Sequence, residues 1–526
     1  MIRKRADDDP KSHPIPYHAD LDTPLLEFGK GDIWTIRAAA ESVAVFGAPG
    51  SGKSSAVGKA LGGGAFLPAG MGGLVLCAKV EEANVWRSYA AACGRQDDLV
   101  VIDETARHRF NILDYAAATI GKPGFERNLV SLMERMAEAA RVADDKGGGG
   151  DKEGRYYYDT ASRWLGSAFP LLLLAYGTAS MKQLYDMVSS APTSMDEVKK
   201  ELENITSGKQ QGISSFCLQT VYLAGQGLKA KAAKRGVPVG SLPEAGDFDI
   251  YADVWTDEIP SADKRERSIV SSILRNLTGA FSTGKLRELF CTDTTVTPEA
   301  ARDGKIIVID LPALRFGATG IVAQTVFKYL FGIAMQSKPV TANTRPVFIW
   351  ADEAQFFISS ADDDLLSTAR SSKICLVYLT QDLPTYYARI GKDNRDKAEA
   401  IISKFGTRIF LSNTSIITNT SASEIIGKEY QEEIIYTTSD SQDRRGGASR
   451  HDEQTGFDGG RSRTQGESHT RQQRYEFAVP PDVFSWRLRT GGPGNKFKVD
   501  AIVIRNGATW KSNGGKHWLL AEFSQQ

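Results

Sequence analysis

Short apolar runs recur along the chain, each bounded by Gly, Pro or Asp and rich in Val, Ile or Phe. This composition is typical of strands buried on both faces of a parallel sheet. Helix-period patterns such as Ser54–Leu61 and Gly320–Met335 separate most of the runs. The alternation predicts an α/β fold with a mostly parallel sheet. The runs are Ser42–Phe46, Gly73–Leu76, Leu99–Ile102, Ile306–Ile309, Val347–Trp350, Leu376–Leu379 and Thr407–Leu411.

One long segment breaks this alternation. Between about 122 and 290 the sequence has helix-period patterns and few strand candidates. We therefore predict an all-helical insertion domain at 122–290, between two parts of a nucleotide-binding domain at 31–121 and 291–436. Strand-like patterns predict that 475–526 complete that domain, and the polar residues 1–30 predict an extended arm. The helical patterns include Leu129–Val142, Thr160–Tyr176, Ser194–Leu202, Gly212–Ala230 and Arg267–Phe281.

Residues 437–474 form a polar, Gly- and Arg-containing stretch in which Phe457 is the only large apolar residue. Such a composition buries too little apolar surface to offset the entropy of ordering. The sequence therefore predicts a flexible polar loop here.

Composition excludes several classes of protein. The 526 residues include 64 basic and 64 acidic side chains, so the formal charge is zero and a uniformly basic nucleic-acid binder is excluded, although a basic ring lumen is not. The five cysteines form no CxxC pair and the six histidines no metal-binding cluster, which leaves a zinc or redox function without support. No apolar run approaches the ~20 residues of a membrane span, which predicts a cytoplasmic polypeptide.

A glycine-rich segment directly follows the first predicted core strand. Gly47-Ala-Pro-Gly-Ser-Gly-Lys-Ser54 matches GxxxxGK[ST] at every fixed position, with a strand before it and a helix after it. In this pattern glycines place backbone N–H groups around phosphates, the lysine reaches the β- and γ-phosphates, and the serine hydroxyl binds Mg²⁺. The segment predicts a site for ATP and Mg²⁺ made by Gly47, Gly50, Ser51, Gly52, Lys53, Ser54 and Ser55.

Hydrolysis also needs an acid at a strand end for the metal and a polar group to orient water. Three apolar runs end in acids, namely Leu99–Glu104, Ile306–Asp310 and Val347–Glu353. We favour the third, which ends in Asp352 and Glu353, because its strand is the most apolar and a further strand with a polar tip follows it.

Gln381, at the tip of that further strand, and Arg370, before the strand, are additional candidates. A glutamine here can sense a γ-phosphate, and an arginine at an element end can act on a neighbouring subunit's nucleotide. An ordinary polar strand end and a solvated surface arginine are the commoner roles for such residues. Both alternatives stay open on the residues alone.

The motifs, taken in order, resemble the type IV secretion coupling proteins, ring ATPases of bacterial conjugation related to the FtsK and HerA translocases. The resemblance spreads over most of 40–430 and implies a RecA-like P-loop core with an all-helical domain. Two positions depart from the family pattern. Where the family usually has Asp-x-Lys, this chain has Cys77-Ala-Lys79, and where the family often has an Asp, this chain has Ser415. The segments that carry the resemblance are GAPGSGKSS, GGLVLCAKVEEANVW, DLVVIDETARHRFNILD, YYYDTASRWLGSAFPLLLLAY, GKIIVIDLP, PVFIWADEAQ, LLSTARSSKICLVYLTQDL and KFGTRIFLSNTSIITNTSASEIIG.

The resemblance implies a role for each site residue. Asp352 would hold Mg²⁺ through water, Glu353 would polarise the attacking water, Gln381 would sense the γ-phosphate, and Arg370 would reach the neighbouring subunit's nucleotide. Asp103 would be structural. The protein would be an ATP-driven ring, expected to be a hexamer, that pumps DNA or a nucleoprotein cargo such as a relaxase through its lumen.

Two basic segments are candidates for the lumen, Lys229–Arg235 and Arg389–Lys397. Contacts there would be to phosphates and independent of base sequence. A solvated helix face or loop explains either segment equally well.

The family usually carries N-terminal transmembrane helices, and this sequence shows none. Either a separate membrane subunit docks the chain at the inner membrane, with residues 1–30 as the docking arm, or the chain is a soluble HerA-like ATPase of DNA processing or defence. A third possibility is an adaptor that binds nucleotide without motor activity.

Overall fold

The computed structural model describes residues 20–119, 126–144, 152–207, 215–390, 395–442 and 463–526. Three parts of the predictions lie outside the described residues: 1–19 of the arm predicted at 1–30, 443–462 of the polar loop predicted at 437–474, and 391–394 of the second basic segment. The chain forms two compact units, one comprising Met1–Asn413 with Leu488–Gln526 and the other Thr414–Arg487.

The larger unit begins with a small hairpin of β1 (Pro24–Gly29) and β2 (Asp32–Thr35), which pair antiparallel. The predicted extended arm therefore includes a paired strand at its C-terminal end. Phe28 of this hairpin packs edge-on against Trp34 and Trp510. These contacts join the hairpin to the apolar core.

A nine-stranded sheet forms the centre of this unit. The strand order is β13, β12, β9, β3, β8, β7, β4, β6, β5. The seven strands from β9 to β5 pair parallel, whereas β12 pairs antiparallel with both β9 and β13. The predicted α/β class with a mostly parallel sheet is confirmed. The strands are β3 (Val43–Phe46), β4 (Gly72–Leu76), β5 (Leu99–Ile102), β6 (Ile306–Ile309), β7 (Val347–Asp352), β8 (Ile374–Thr380), β9 (Thr407–Phe410), β12 (Lys498–Arg505) and β13 (Trp518–Ser524).

Helices cover both faces of the sheet, as parallel strand connections require. One of them is a 14-residue helix with π-type bonding, Lys53–Phe66, which we call the phosphate-loop helix. The others are α1 (Ile36–Ala39), α2 (Glu82–Ala92), α3 (Ile112–Thr119), α13 (Ala313–Gln336), α14 (Ala361–Ala369), α15 (Leu383–Ile390) and α16 (Arg395–Ser403).

Aromatic stacking joins the phosphate-loop helix and α2 to the sheet. The ring of Phe348 on β7 stacks on Phe66 and on Trp86, with centroids 5.6 Å and 5.3 Å apart. Gly73 on the adjacent β4 makes room for this ring, because a Cβ at Gly73 would lie 2.5 Å from Phe348 Cδ2. The amino ends of β4 and β7 are thus packed against the phosphate-loop helix and α2.

Between β5 and β6 the described residues form helices and no strand. Serine is the N-cap of three of these helices. Ser180, Ser194 and Ser215 each accept a hydrogen bond from the backbone N–H three residues further along the chain. These helices belong to the same compact unit as the sheet. They are α4 (Glu126–Asp144), α5 (Lys152–Tyr176), α6 (Met181–Ser189), α7 (Met195–Thr206), α8 (Phe216–Arg235), α9 (Pro243–Asp253), α10 (Ile259–Ser261), α11 (Lys264–Ser282) and α12 (Gly284–Phe290).

Helix α13 is long and apolar enough to cross a bilayer, and α5 with α6 qualify only as a pair bent by 111°. In α13, however, 78% of the most apolar window is buried inside the protein, where the helix packs against the short 3₁₀ helix Pro298–Asp303, β4 and α4. Such burial is typical of a helix in the core of an α/β domain.

The smaller unit consists of α17 (Ile416–Ile426), a short helix at Val483–Arg487 and an antiparallel hairpin of β10 (Lys428–Gln442) and β11 (Arg463–Phe477). The structure differs here from the predicted polar loop, because 437–442 and 463–474 are paired strand residues. The backbone N–H and C=O groups of these polar residues pair across the hairpin, which amino-acid composition does not predict. Tyr430 and Tyr475 face each other across the hairpin, with ring centroids 5.1 Å apart.

Candidate nucleotide-binding site

The glycine-rich loop connects β3 to the phosphate-loop helix at the carboxyl edge of the sheet. The Gly47 N–H donates to the carbonyls of Thr380 and Gln381, both at 3.2 Å, which ties the loop to the end of β8. Gly52 has a φ of 93°, in the left-handed region that favours glycine. A Cβ at Gly52 would also lie 2.6 Å from Val499 Cγ2, so both backbone shape and space require glycine there.

Lys53 and Ser51 point their polar atoms at the loop. The Lys53 Nζ donates to the carbonyls of Gly47 at 2.7 Å and Ala48 at 3.4 Å. Burial lowers the pKa of Lys53, and the nearby Glu353 and Asp352 carboxylates oppose that shift. The Ser51 Oγ is buried and has no hydrogen-bond partner among the described residues. A buried cation, an unpartnered hydroxyl and glycine-shaped backbone fit a phosphate chain.

Ser54 and Asp352 meet at the predicted metal position. The Ser54 Oγ donates to Asp352 Oδ2 at 2.5 Å. A hydroxyl and a carboxylate side by side are oxygen ligands of the kind that Mg²⁺ prefers. Ser55, the last predicted loop residue, accepts a bond from Gln525 Nε2 at 2.8 Å.

Glu353 has a constrained backbone and three side-chain neighbours. Its φ of 57° and ψ of 52° are left-handed, which costs a non-glycine residue about 1 kcal/mol or more. Lys79 Nζ lies 2.8 Å from Glu353 Oε1, and on Oε2 Gln355 Nε2 donates at 2.8 Å and Gln381 Nε2 at 3.5 Å. Burial raises the pKa of Glu353, but the bonds from Lys79 and Gln355 outweigh burial, and the net pKa is lowered. The carboxylate is held ionised.

Gln381 directly follows β8 and lies at the carboxyl edge of the sheet, beside the glycine-rich loop. Its carbonyl accepts bonds from Gly47 N and, at 2.7 Å, from Asn413 Nδ2. The backbone of Gln381 thus connects the glycine-rich loop to the end of β9.

Arg370 lies away from these residues, before the first residue of β8. The strand spans seven residues, so Arg370 is about 20 Å from the glycine-rich loop at the other end of β8. Its side chain is 65% exposed and lies 3.7 Å from Glu41. With Asp20, Arg37 and Lys373 it lines an open cavity of about 690 Å³.

The two other strand-end acids do not join the site. Asp103 follows β5, the outermost parallel strand, and accepts bonds from Thr105 N at 3.0 Å and Thr105 Oγ1 at 2.5 Å. These are the bonds of a local turn, which supports a structural role. Asp310 follows β6, and burial raises its pKa.

The site also contains two residues that the sequence analysis did not select, Lys79 and Gln355. Lys79 comes three residues after β4, the strand beside β7. Gln355 accepts a bond from Thr380 Oγ1 at 2.8 Å and so links the ends of β7 and β8. The pairing of β4 with β7 brings Lys79 to Glu353, whereas Gln355 follows Glu353 by two residues in the same turn. The signal in the sequence is a polar residue shortly after an apolar run.

The basic segments proposed for a lumen are in part engaged locally. Lys231 pairs with the buried Glu244 at 2.5 Å. Arg389 and Arg395 stack over Phe356 and Tyr387, 4.9 Å and 4.8 Å from the ring centroids. Lys229, Lys234 and Arg235 are exposed on α8.

Together, the parallel sheet, the glycine-rich loop and the paired acids define an α/β P-loop nucleotide-binding fold. Residues 346–475, which include Asp352, Glu353, Arg370 and Gln381, match the family model described as the TraM recognition site of TraD and TraG. No curated protein matches the sequence.

Solved structures of the coupling protein TrwB share this fold. The unbound monoclinic form of the bacterial conjugative coupling protein TrwB has a TM-score of 0.56 and 13% identity, over 97% of this chain and 90% of that one. TrwB with the ATP analogue ADPNP has a TM-score of 0.54 and 13% identity, over 96% of this chain and 89% of that one. TrwB with the GTP analogue GDPNP has a TM-score of 0.52 and 13% identity, over 97% of this chain and 96% of that one. The resemblance to coupling proteins predicted from the sequence is confirmed, and the chain has the coupling-protein fold.

Proposed function

We propose that this protein is an ATPase that uses hydrolysis to move DNA, alone or with a bound protein cargo, as the coupling motor of a type IV secretion system. The observation that carries the proposal is the Ser54–Asp352 hydrogen bond beside an ionised Glu353. This arrangement combines a metal position and a water-orienting carboxylate with a phosphate-binding loop. The TrwB complexes with ADPNP and with ADP and Mg²⁺ support the same ligands here.

Each residue has a defined task in this proposal. The glycine-rich loop and Lys53 bind the phosphates, and Ser54 and Asp352 would hold Mg²⁺, which would neutralise charge on the phosphates. Glu353 orients water for attack through its fixed left-handed turn. Gln381, which contacts both Glu353 and the loop, aligns the water with the terminal phosphate.

Arg370 completes the site of a neighbouring subunit. Because it lies at the opposite edge of the sheet from its own loop, it can serve only a nucleotide bound by another copy. We therefore propose a ring, with six subunits as the family resemblance implies. Hydrolysis would release Arg370 and loosen the interface between subunits.

DNA and protein partners follow from the same proposal. The exposed Lys229, Lys234 and Arg235 are candidates for phosphate contacts in the lumen. The match to a TraM recognition site supports a protein of the DNA-processing complex, such as a relaxase or its accessory protein, as a partner of 346–475. Docking to a separate membrane subunit would place the ring at the inner membrane.

ATP hydrolysis by the full chain, with and without single- and double-stranded DNA, tests the proposal. We expect hydrolysis that DNA stimulates and that Lys53→Ala abolishes. Arg87→Gln, which removes an exposed cation from α2, is the matched control and should hydrolyse normally. Nucleotide binding without turnover in any of these conditions would support the adaptor alternative instead.

A further inference from the structure

The Glu353 carboxylate is unusually crowded with donors. A carboxylate has about four acceptor positions, and the donors of Lys79, Gln355 and Gln381 are directed at three of them. About one position is left for a water molecule. In this arrangement the charge of Lys79 also competes with a water proton for the same oxygen.

The backbone that carries Lys79 is firmly held. Gln324 on α13 accepts a bond from Cys77 N at 2.7 Å and donates to Cys77 O at 3.1 Å. Glu82 accepts a bond from Ala78 N at 2.8 Å. Both contacts are buried, so the chain entering Lys79 has a fixed position.

The side chain of Lys79, by contrast, is 47% exposed. Water can solvate the ammonium of Lys79 when it leaves, and the buried Glu353 carboxylate, whose side chain is 9% exposed, keeps the donors of Gln355 and Gln381. Its ammonium also lies 3.8 Å from Asp352 Oδ2, which offers a second partner close by. A small displacement of the backbone at Cys77 is therefore enough to move the Lys79 ammonium away from Glu353.

We propose that Lys79 is a releasable clamp on Glu353, a positioning residue that keeps the carboxylate from water and holds hydrolysis at a low basal rate. The inference rests on the proposed function and adds regulation to the same site. Because α13 carries Gln324 and also packs against α4, a shift of the helical segment on binding DNA moves Cys77 and with it Lys79. Opening the clamp in this way would couple cargo to hydrolysis.

Lys79→Met in the full chain tests the clamp through the rate measured without DNA. We expect the basal kcat to rise about fivefold, the KM for ATP to stay unchanged, and the ratio of DNA-stimulated to basal rate to fall towards one. Lys79→Arg keeps the charge and should restore the low basal rate. Arg87→Gln, on the same strand-to-helix segment, should change neither rate.

A lower basal kcat or a raised KM in Lys79→Met would overturn the clamp, because it would make Lys79 a cation for the phosphates or the transition state. An unchanged basal rate would overturn it equally. If wild-type hydrolysis depends on Lys53 but does not respond to DNA, the motor proposal fails and the clamp is judged on the basal rate alone. If wild-type hydrolysis is undetectable, Lys79→Met must raise it above detection, and failure to do so refutes the clamp.

Discussion

Ser54 and Asp352 are 298 residues apart in the sequence, yet the hydroxyl of one donates to the carboxylate of the other at 2.5 Å. Ser54 is the second residue of the phosphate-loop helix, which follows β3, and Asp352 ends β7. Only β8 lies between those strands in the sheet. Because parallel strands end at a common edge, the sheet itself positions these two metal-ligand candidates.

Glu353→Gln should separate nucleotide binding from turnover. The amide keeps the size of the side chain but cannot act as a base, so turnover should fall at least about 100-fold. Binding of a non-hydrolysable ATP analogue should be retained, as measured by calorimetry. Glu81→Gln, at an exposed acid near the same sheet edge, is the control. Normal turnover in Glu353→Gln would assign the water-orienting role to another carboxylate.

Arg370→Ala should lose hydrolysis when assayed alone and regain part of it when mixed with Lys53→Ala. The reason is that Arg370 is about 20 Å from its own loop, so in a mixed ring an intact Arg370 can face an intact Lys53. ATPase activity is measured across mixing ratios. Arg87→Ala, which also removes an exposed arginine, should not lose activity. A mixture no more active than its components would exclude action between subunits.

Glu82→Gln should stabilise the protein at high pH. Glu82 is buried, its Oε1 has no partner among the described residues, and burial raises its pKa well above the ordinary 4.5. Above about pH 4.5 the Glu82 carboxylate is ionised in the unfolded chain and takes up a proton on folding. The free energy of unfolding of the wild type therefore falls, relative to that of Glu82→Gln, as the pH rises. Thermal unfolding should show a higher Tm for the variant at about pH 8 and a smaller difference at about pH 5. A constant difference across pH would mean that Glu82 folds ionised.

Lys328→Met should destabilise the fold more than a surface change does. Lys328 and Asp362 are each 1% exposed, and Lys328 Nζ donates to Asp362 Oδ1 at 2.6 Å and to the Phe357 carbonyl at 2.6 Å. Removing one partner leaves a buried charge uncompensated, at a cost of about 3–5 kcal/mol.

Urea unfolding measures this cost. The double variant Lys328→Met with Asp362→Asn should recover part of it, because no buried charge remains. If the double variant loses the sum of both single losses, the two residues act independently and the pair is not the reason for the effect.

The sequence by itself determined which strands form the sheet and predicted where the phosphates bind. Runs of Val, Ile and Phe specify buried strands whatever their neighbours are, and the glycine-rich loop is a local structure whose residues are all consecutive. Asp352, Glu353 and Gln381 were likewise predictable, since each directly follows an apolar run. The boundaries of the predicted domains remain a prediction.

Only the tertiary structure decided what surrounds Glu353 and where Arg370 lies. Lys79 and Gln381 reach Glu353 because β4, β7 and β8 are neighbours, and strand order depends on how all the helices pack rather than on any one segment. The hairpin at 437–442 and 463–474 depends in the same way on cross-strand bonds. Polar composition predicts little burial, but it does not exclude pairing, because backbone N–H and C=O groups are the same in every residue except proline.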